Sequence, residues 1–194
     1  MNAPGSSTLI ADVGIPTIVF TLPAMVVLLV PIIAVEGLLC RKWLRLSIGE
    51  AMKLNAASNL VSTLVGVPLA WGFMLALQLG LGAVMFESGL FENWEGPLAN
   101  VIYVLFASAW ISPDETWMLP AATLVLLVPF FFASYWVEYQ VMKRILDRRK
   151  GQPPDFTYGA MRIAVRNANL VTYGAMFAGV AVWLIVLALR LRRH

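Results

Sequence analysis

Long apolar segments separated by three clusters of basic residues constrain the fold of this chain more than any other feature. Residues 1–40 and 54–142 contain no Lys or Arg, so all fourteen basic residues follow or separate apolar runs. The clusters are Arg41, Lys42, Arg45 and Lys53; Lys143, Arg144, Arg148, Arg149, Lys150, Arg162 and Arg166; and Arg190, Arg192 and Arg193. Basic residues that flank apolar spans mark the cytoplasmic ends of membrane helices. The pattern therefore predicts an integral membrane protein.

The composition restricts the chemistry that the chain can support. Hydrophobic residues make up 60% of the sequence and charged residues only 13%, whereas a soluble domain averages about 25% charged residues. The net charge of +3 is best explained by basic loops on anionic lipid, and we expect no nucleic-acid partner. Cys40 and His194 stand alone, which leaves too few ligands for a zinc or haem site and no Cys–His pair. The sequence predicts a protein without cofactor, metal or catalytic residues.

Four apolar segments are long enough to cross a bilayer, which needs about 20 residues. We predict spans at residues 13–39, 54–81, 117–142 and 168–189, within a single membrane domain that covers residues 1–194. Ser47 and Glu50 form a capping-box pattern that predicts a tight turn before the second span, and Ser112 and Glu115 form another before the third. Pro68 is expected to kink the second span.

A fifth apolar segment, residues 98–111, has only fourteen residues and decides the topology. If it crossed the membrane, the basic loops at residues 41–53 and 143–166 would face opposite sides, against the positive-inside rule. We predict a short re-entrant or interfacial helix on the outer side. The expected fold is all-α, with four transmembrane helices in two similar hairpins. We expect the plasma (inner) membrane, an outer N-terminus, a cytoplasmic C-terminus and all fourteen basic residues in the cytoplasm.

The two halves of the chain share short sequence matches in the same order. Leu-Val-Pro at residues 29–31 recurs at 127–129, Val-Glu at 35–36 recurs at 137–138, and Asn-Leu-Val-Ser at 59–62 recurs as Asn-Leu-Val-Thr at 169–172. Both halves would run through the membrane in the same direction, so they are predicted to be parallel repeats about an axis along the membrane normal. The abundance of Leu and Val and the unequal spacing between Glu and Asn leave chance matching as the alternative.

Each predicted hairpin places a carboxylate level with Asn side chains near its cytoplasmic end. This predicts an intramembrane polar cluster of Glu36, Asn55, Asn59, Glu138, Arg166 and Asn169. Ionisable groups within a span mark a functional site by default, here a proton or cation site between the hairpins. The alternative is that both carboxylates lock helix packing through Asn, Arg41 or Arg166. Hydration near the interface, which lowers the cost of a charge, favours this alternative.

A face of small residues lies along the second span. Gly72, Ala76 and Gly80 are spaced four residues apart and therefore share one side of a helix. Such a face lets another helix approach closely. We expect it to pack within the fold or against another subunit.

One stretch resembles the small multi-pass filament-integrity (septal junction) membrane proteins of cyanobacteria. It is VPIIAVEGLLCRKWLRLSIGEAMKLNAASNLVSTLVGVPLAW, in which Glu36, Asn59, Ser62 and Gly66 match the family's motifs. The later segment at residues 166–172 is similar to the family's last segment. This chain has Val-Glu-Gly where the family has Pro-Ile-Glu. The resemblance implies a non-enzymatic membrane protein at cell–cell junctions and no catalytic residues.

Two functions remain in competition. The first is a non-catalytic membrane protein that is a subunit, assembly factor or junction component of a larger complex, with other membrane subunits or a second copy of itself as partners. The second is a small proton- or cation-coupled transporter or channel that uses Glu36, Glu138 and the Asn side chains as a polar path. The scarcity of catalytic groups and the short chain favour the first.

Overall fold

The computed structural model describes residues 15–87, 96–111, 116–148 and 157–191, which are almost entirely helical. The helices are α1 (Ile18–Leu44), α2 (Ile48–Val61), a π-helical turn (Ser62–Gly66), α3 (Val67–Glu87), α4 (Pro97–Phe106), α5 (Met118–Asp147) and α6 (Tyr158–Leu191), and the strands are β1 (Ile15–Pro16) and β2 (Trp110–Ile111). The capping box predicted at Ser112 and Glu115 lies outside the described residues.

Four helical segments are long and apolar enough to cross a membrane, which confirms the all-α prediction and the number of long helices. They are Ile18–Leu44, Ile48–Val84, Met118–Asp147 and Tyr158–Arg190. Most of their ends lie beyond the predicted spans because the helices continue into the basic clusters. Arg41 and Lys42, for example, occupy the last turn of α1, where positive charges interact favourably with the helix dipole.

The turn between α1 and α2 has the predicted capping box. The hydroxyl of Ser47 accepts a hydrogen bond from the amide of Glu50 at 3.3 Å, and Glu50 Oε2 accepts one from the amide of Ser47 at 3.1 Å. Arg45 ends α1 in the left-handed conformation with φ 53°. Beyond this turn α1 and α2 pack closely, because Gly37 has no side chain and Met52 lies directly against it.

Pro68 is accommodated by a π-helical turn rather than by a simple kink. Proline has no amide hydrogen and its ring clashes with the carbonyl four residues earlier. The helix widens over Ser62–Gly66, and the amide of Val67 donates to the carbonyl of Ser62, five residues back. Gly66 then packs against the backbone of Ala133 and the side chain of Val137 on α5. The second span is therefore continuous, but the wider turn rotates the side chains of α3 about the helix axis relative to those of α2.

The short apolar segment forms α4 and β2 and is held at one end of the bundle. With ten residues, α4 is about 15 Å long, too short to cross a bilayer. The strand β2 pairs antiparallel with β1, with Ile15 opposite Ile111. The indole of Trp71 on α3 donates to the carbonyl of Ala109 at 2.8 Å. Thr17, at the start of α1, donates its hydroxyl to the same carbonyl at 2.9 Å.

Three apolar clusters divide the interior along the bundle. The first surrounds the α1–α2 turn and includes Leu44, Leu146 and Met161. The second lies in the middle around Phe130, and the third joins Val104 of α4 to the start of α5. Within a bilayer, close packing of such side chains stabilises a helix bundle through van der Waals contacts. The polar site lies between the first two clusters.

The directions of α1 and α6 bear on the predicted location of the C-terminus. Leu44 at the end of α1 packs with Met161 near the start of α6, while Thr21 and Val180 line one cavity toward their other ends. The two helices therefore run antiparallel, and Arg190 lies at the end of the bundle away from the first two basic clusters. Four crossings in this arrangement would place both termini on one side of a membrane, whereas the sequence predicts termini on opposite sides and all fourteen basic residues in the cytoplasm.

Candidate functional site

Two glutamate side chains are buried where α1, α2, α5 and α6 meet. Glu36 on α1 and Glu138 on α5 are each only 1% exposed. Hydration near the membrane interface was expected to lower the cost of these charges, but the surrounding helices cover both side chains in this fold. The burial of these two carboxyl groups therefore depends on hydrogen bonds within the chain, because a buried carboxyl group without partners is strongly unfavourable.

The carboxyl group of Glu36 has one hydrogen-bond donor for each oxygen. Asn59 on α2 donates from Nδ2 to Oε2 at 2.7 Å. Thr172 on α6 donates from its hydroxyl to Oε1 at 2.6 Å. One donor therefore comes from the helix that follows α1 along the chain, and the other comes from the second half of the chain.

The carboxyl group of Glu138 has the corresponding arrangement. Asn169 on α6 donates from Nδ2 to Oε2 at 2.7 Å. Ser62, at the start of the π-helical turn, donates from its hydroxyl to Oε1 at 3.1 Å. Each carboxyl group is thus bonded by an Asn from its own half of the chain and by a hydroxyl from the other half.

Helix geometry explains why these donors come in pairs. Asn59 and Ser62 are three residues apart, as are Asn169 and Thr172, and residues with this spacing lie on the same helix face. The two pairs are the matching segments that the sequence places in both halves. In each segment the Asn bonds to the carboxyl group of its own half of the chain, and the hydroxyl bonds to the carboxyl group of the other half. The four side chains therefore join all four long helical segments through two carboxyl groups.

The two carboxyl groups belong to one site, since each helical segment that bonds to one of them also bonds to the other, through Asn59 and Ser62 or through Asn169 and Thr172. Among the residues that the structure describes, no Lys or Arg side chain bonds to either of them. Two other titratable side chains, Cys40 on α1 and Tyr173 on α6, feel the charges of the two glutamates. The site is therefore acidic, buried and compensated only by neutral donors.

Two residues of the predicted polar cluster lie away from the carboxyl groups. Asn55 is fully buried, and its Nδ2 donates to the carbonyl of Ala51 at 2.8 Å on its own helix. Arg166 is exposed and donates to Asn167 Oδ1 at 3.3 Å. The cluster that forms contains Glu36, Asn59, Glu138 and Asn169 of the predicted set, together with Ser62 and Thr172. The sequence feature that could have identified Ser62 and Thr172 is their position three residues after each Asn, which puts them on the same helix face as that Asn.

Among the residues that the structure describes, none lies close to the predicted small-residue face on α3. A Cβ atom added to Gly72 or Gly80 would meet nothing within 4 Å, and Ala76 is exposed. Close packing inside the fold occurs at Gly66 instead, where a Cβ would lie 3.5 Å from the side chain of Val137. The face of Gly72, Ala76 and Gly80 is open to lipid or to another chain.

The chemistry available at the site is that of oxygen acceptors and proton exchange. The described residues contain no group of three or more His, Cys, Asp or Glu side chains that could hold a metal ion. An apolar cavity of about 440 Å³ lies between α1, α5 and α6, toward the start of α1, and its lining includes neither glutamate. The carboxyl pair can bind a proton or a small cation, or it can hold the helices together.

Comparisons with protein-family models, with curated proteins and with solved structures find no match to this chain. The function must therefore be argued from the side chains of the site and from the surfaces of the bundle.

Proposed function

We propose that the chain is an integral protein of the plasma (inner) membrane with four crossings and both termini outside. The basic residues at the α1–α2 and α5–α6 ends support this orientation, since eleven of the fourteen would then face the cytoplasm. Only Arg190, Arg192 and Arg193 would lie outside. The opposite orientation would place eleven basic residues outside, against the positive-inside rule.

Within the membrane we propose a non-catalytic role, as a subunit, assembly factor or junction component of a larger complex. The observation that carries this proposal is the use of every oxygen of Glu36 and Glu138 in hydrogen bonds inside the chain. Such a network favours a rigid scaffold, because interhelical hydrogen bonds stabilise membrane bundles by about 1 kcal/mol each. The two halves act as similar hairpins that exchange one hydroxyl donor each.

The open face of α3 is the surface that would contact a partner. Gly72 and Gly80 lie four residues on either side of Ala76, with no neighbour close to their backbones. A helix of another subunit, or a second copy of this chain, can approach such a face more closely than a lipid-facing surface of large side chains.

Purification in mild detergent with mass spectrometry of the co-purifying chains tests this role. We expect defined partners or a homo-oligomer with the wild-type chain, and their loss in a Gly72→Leu/Gly80→Leu variant. Gly174→Leu on α6 is the matched control, because a Cβ there also meets nothing within 4 Å but lies on another helix. A monomeric wild-type protein without partners would contradict the proposal.

A small proton- or cation-coupled transporter or channel is the second candidate function. The observation in its favour is the burial of two carboxyl groups in one site with no basic partner among the described residues. Flux in proteoliposomes should then be present with the wild-type chain and be abolished by Glu36→Gln or Glu138→Gln. Absence of flux for protons, alkali cations and small metabolites would rule out this candidate.

A further inference from the structure

The hydroxyl groups at the carboxyl pair have too few hydrogens for the acceptors around them. Ser62 Oγ lies 3.1 Å from Glu138 Oε1 and 3.0 Å from the carbonyl oxygen of Asn59. Thr172 Oγ1 lies 2.6 Å from Glu36 Oε1, 3.2 Å from the carbonyl oxygen of Asn169 and 3.3 Å from that of Ala168. Each hydroxyl carries one hydrogen, so two hydrogens serve five acceptors. The contact between Ser62 and Glu138 is the longest of the four contacts to a carboxyl oxygen.

Asn169 adds one further acceptor that has no donor. Its Nδ2 uses both hydrogens, one toward Glu138 Oε2 at 2.7 Å and one toward the carbonyl oxygen of Val165 at 3.1 Å. Its Oδ1 belongs to the same amide group, is buried and has no hydrogen-bond partner. Asn169 is 0% exposed, so bulk water does not supply the missing donor. The site as a whole lacks hydrogens rather than acceptors.

The charge of the pair leads to the same conclusion. Two ionised carboxylates in one buried site repel each other, and in a medium of low dielectric constant the second charge is strongly unfavourable without a cation. Neutral donors from Asn59, Ser62, Asn169 and Thr172 stabilise one negative charge but do not cancel two. One added proton removes one charge and supplies one donor.

We propose that Glu36 and Glu138 form a proton-binding site that holds one exchangeable proton, carried by Glu138 Oε1. The protonated carboxyl group donates to Ser62 Oγ, and the hydrogen of Ser62 then points to the carbonyl oxygen of Asn59. Glu36 remains ionised and accepts hydrogen bonds from Asn59 and Thr172. This inference holds for a structural subunit and for a transporter alike, and so it does not depend on the choice between the two proposed functions.

Release of the proton is expected to weaken the contact between the two halves of the chain. A second negative charge would face Glu36 across the interface that Ser62 and Thr172 bridge. The other titratable groups that face the pair are the buried thiol of Cys40 on α1 and the buried phenol of Tyr173 on α6. Both are neutral when protonated, so neither compensates the added charge. On the described part of α2 and the π-helical turn, the side chains that reach the pair are Asn59 and Ser62.

Infrared difference spectroscopy on the purified full-length protein tests the proposal directly. The carbonyl band of a protonated carboxylic acid should be present in the wild-type protein at pH 7 and should shift in D2O. It should be absent in Glu138→Gln, in which a neutral amide takes the place of the acid. Glu50→Gln is the matched control and should keep the band, because the carboxyl group of Glu50 caps α2 at the exposed turn.

A pH titration provides the second measurement. A folded chain that holds a proton which the unfolded chain has released is destabilised as the pH rises, and the unfolding equilibrium constant increases tenfold per pH unit for one proton. The thermal midpoint of the wild-type protein should therefore fall with rising pH while the acid band persists, and it should become independent of pH once the band is lost. If Glu138→Gln does not accumulate, Ser62→Ala serves instead and should shift the frequency of the band.

Two results would overturn the proposal. The first is a wild-type protein without the acid band, in which case one sodium, potassium or calcium ion per chain by elemental analysis would identify a bound cation instead. The second is a band that persists in Glu138→Gln. Neither result bears on whether co-purifying partners are found, so failure of this inference is distinguishable from failure of the proposed function.

Discussion

At the scale of single residues, Glu36 and Glu138 matter because the carboxyl group of each accepts hydrogen bonds from two buried side chains. Asn59 and Thr172 donate to the first, and Asn169 and Ser62 donate to the second. A buried donor that loses its acceptor costs about 1–3 kcal/mol, and in membrane bundles an interhelical hydrogen bond contributes about 1 kcal/mol. The carboxyl groups therefore stabilise the bundle through the hydrogen bonds that they accept from neighbouring helices more than through their own charge.

Replacing Glu138 separates these contributions. Glu138→Ala leaves one hydrogen of Asn169 Nδ2 without an acceptor and leaves Ser62 only the carbonyl oxygen of Asn59 on its own segment, and we expect a loss of about 2 kcal/mol in the free energy of unfolding. Glu138→Gln keeps an acceptor for Asn169 and a donor for Ser62, so its loss should be below about 1 kcal/mol. Circular dichroism during SDS titration in mixed micelles measures both values. Equal losses for the two variants would show that the hydrogen bonds do not stabilise the fold.

The sequence was sufficient to predict a cluster of glutamate and asparagine but not to pair the side chains across helices. The spacing of residues along one helix indicates which of them share a face, and it indicates that Asn59 and Ser62 do. It does not indicate which neighbouring helix lies opposite that face. Asn55 shares that face but bonds to Ala51 on its own helix, and Arg166 points outward. The donation from Thr172 to Glu36 depends on contact between α1 and α6, which no local pattern encodes.

At the scale of elements, the π-helical turn aligns two faces that a regular helix would rotate apart. The sequence identified Pro68 as an irregularity, but packing decides whether a helix bends or widens. Here the widened turn starts at Ser62, which bonds to Glu138, and ends at Gly66, which lies against α5. A π-helical turn is equivalent to one extra residue in an α-helix and is frequent at functional sites. Because of the extra residue, Asn59 on α2 faces Glu36 while Trp71 on α3 faces the short apolar segment at residues 98–111.

Removing that extra residue should therefore be tolerated. We expect that deletion of the exposed Leu64, combined with Pro68→Ala, gives a continuous α-helix with both faces in register. Deletion of Leu60, also exposed and one residue after Asn59, should instead rotate Ser62 away from Glu138 relative to Asn59. Size-exclusion profiles and thermal midpoints in detergent compare the two variants. A Leu64 deletion as damaging as the Leu60 deletion would mean that the turn has another role.

At the scale of the whole molecule, the bundle has polar groups inside and apolar groups outside. Large side chains on the outer surface are widely exposed, for example Val27 at 75%, Val30 at 76% and Leu79 at 66%. A surface of this kind suits lipid contact, since a soluble monomer rarely exposes large contiguous apolar areas. The buried carboxyl pair and the apolar exterior together support insertion of all four long helices.

The number of crossings then fixes the relation between the termini, and cysteine labelling tests it. In a Cys40→Ala background, single cysteines would be placed at Lys53, Asp114 and Arg190. An even number of crossings with the basic turns in the cytoplasm predicts that an impermeant maleimide labels positions 114 and 190 on intact cells. Position 53 should react only after permeabilisation, because Arg41, Lys42 and Arg45 still hold that turn in the cytoplasm. Labelling of position 114 without position 190 would mean that α5 or α6 does not cross, and labelling of neither position would mean that residues 98–111 cross as well.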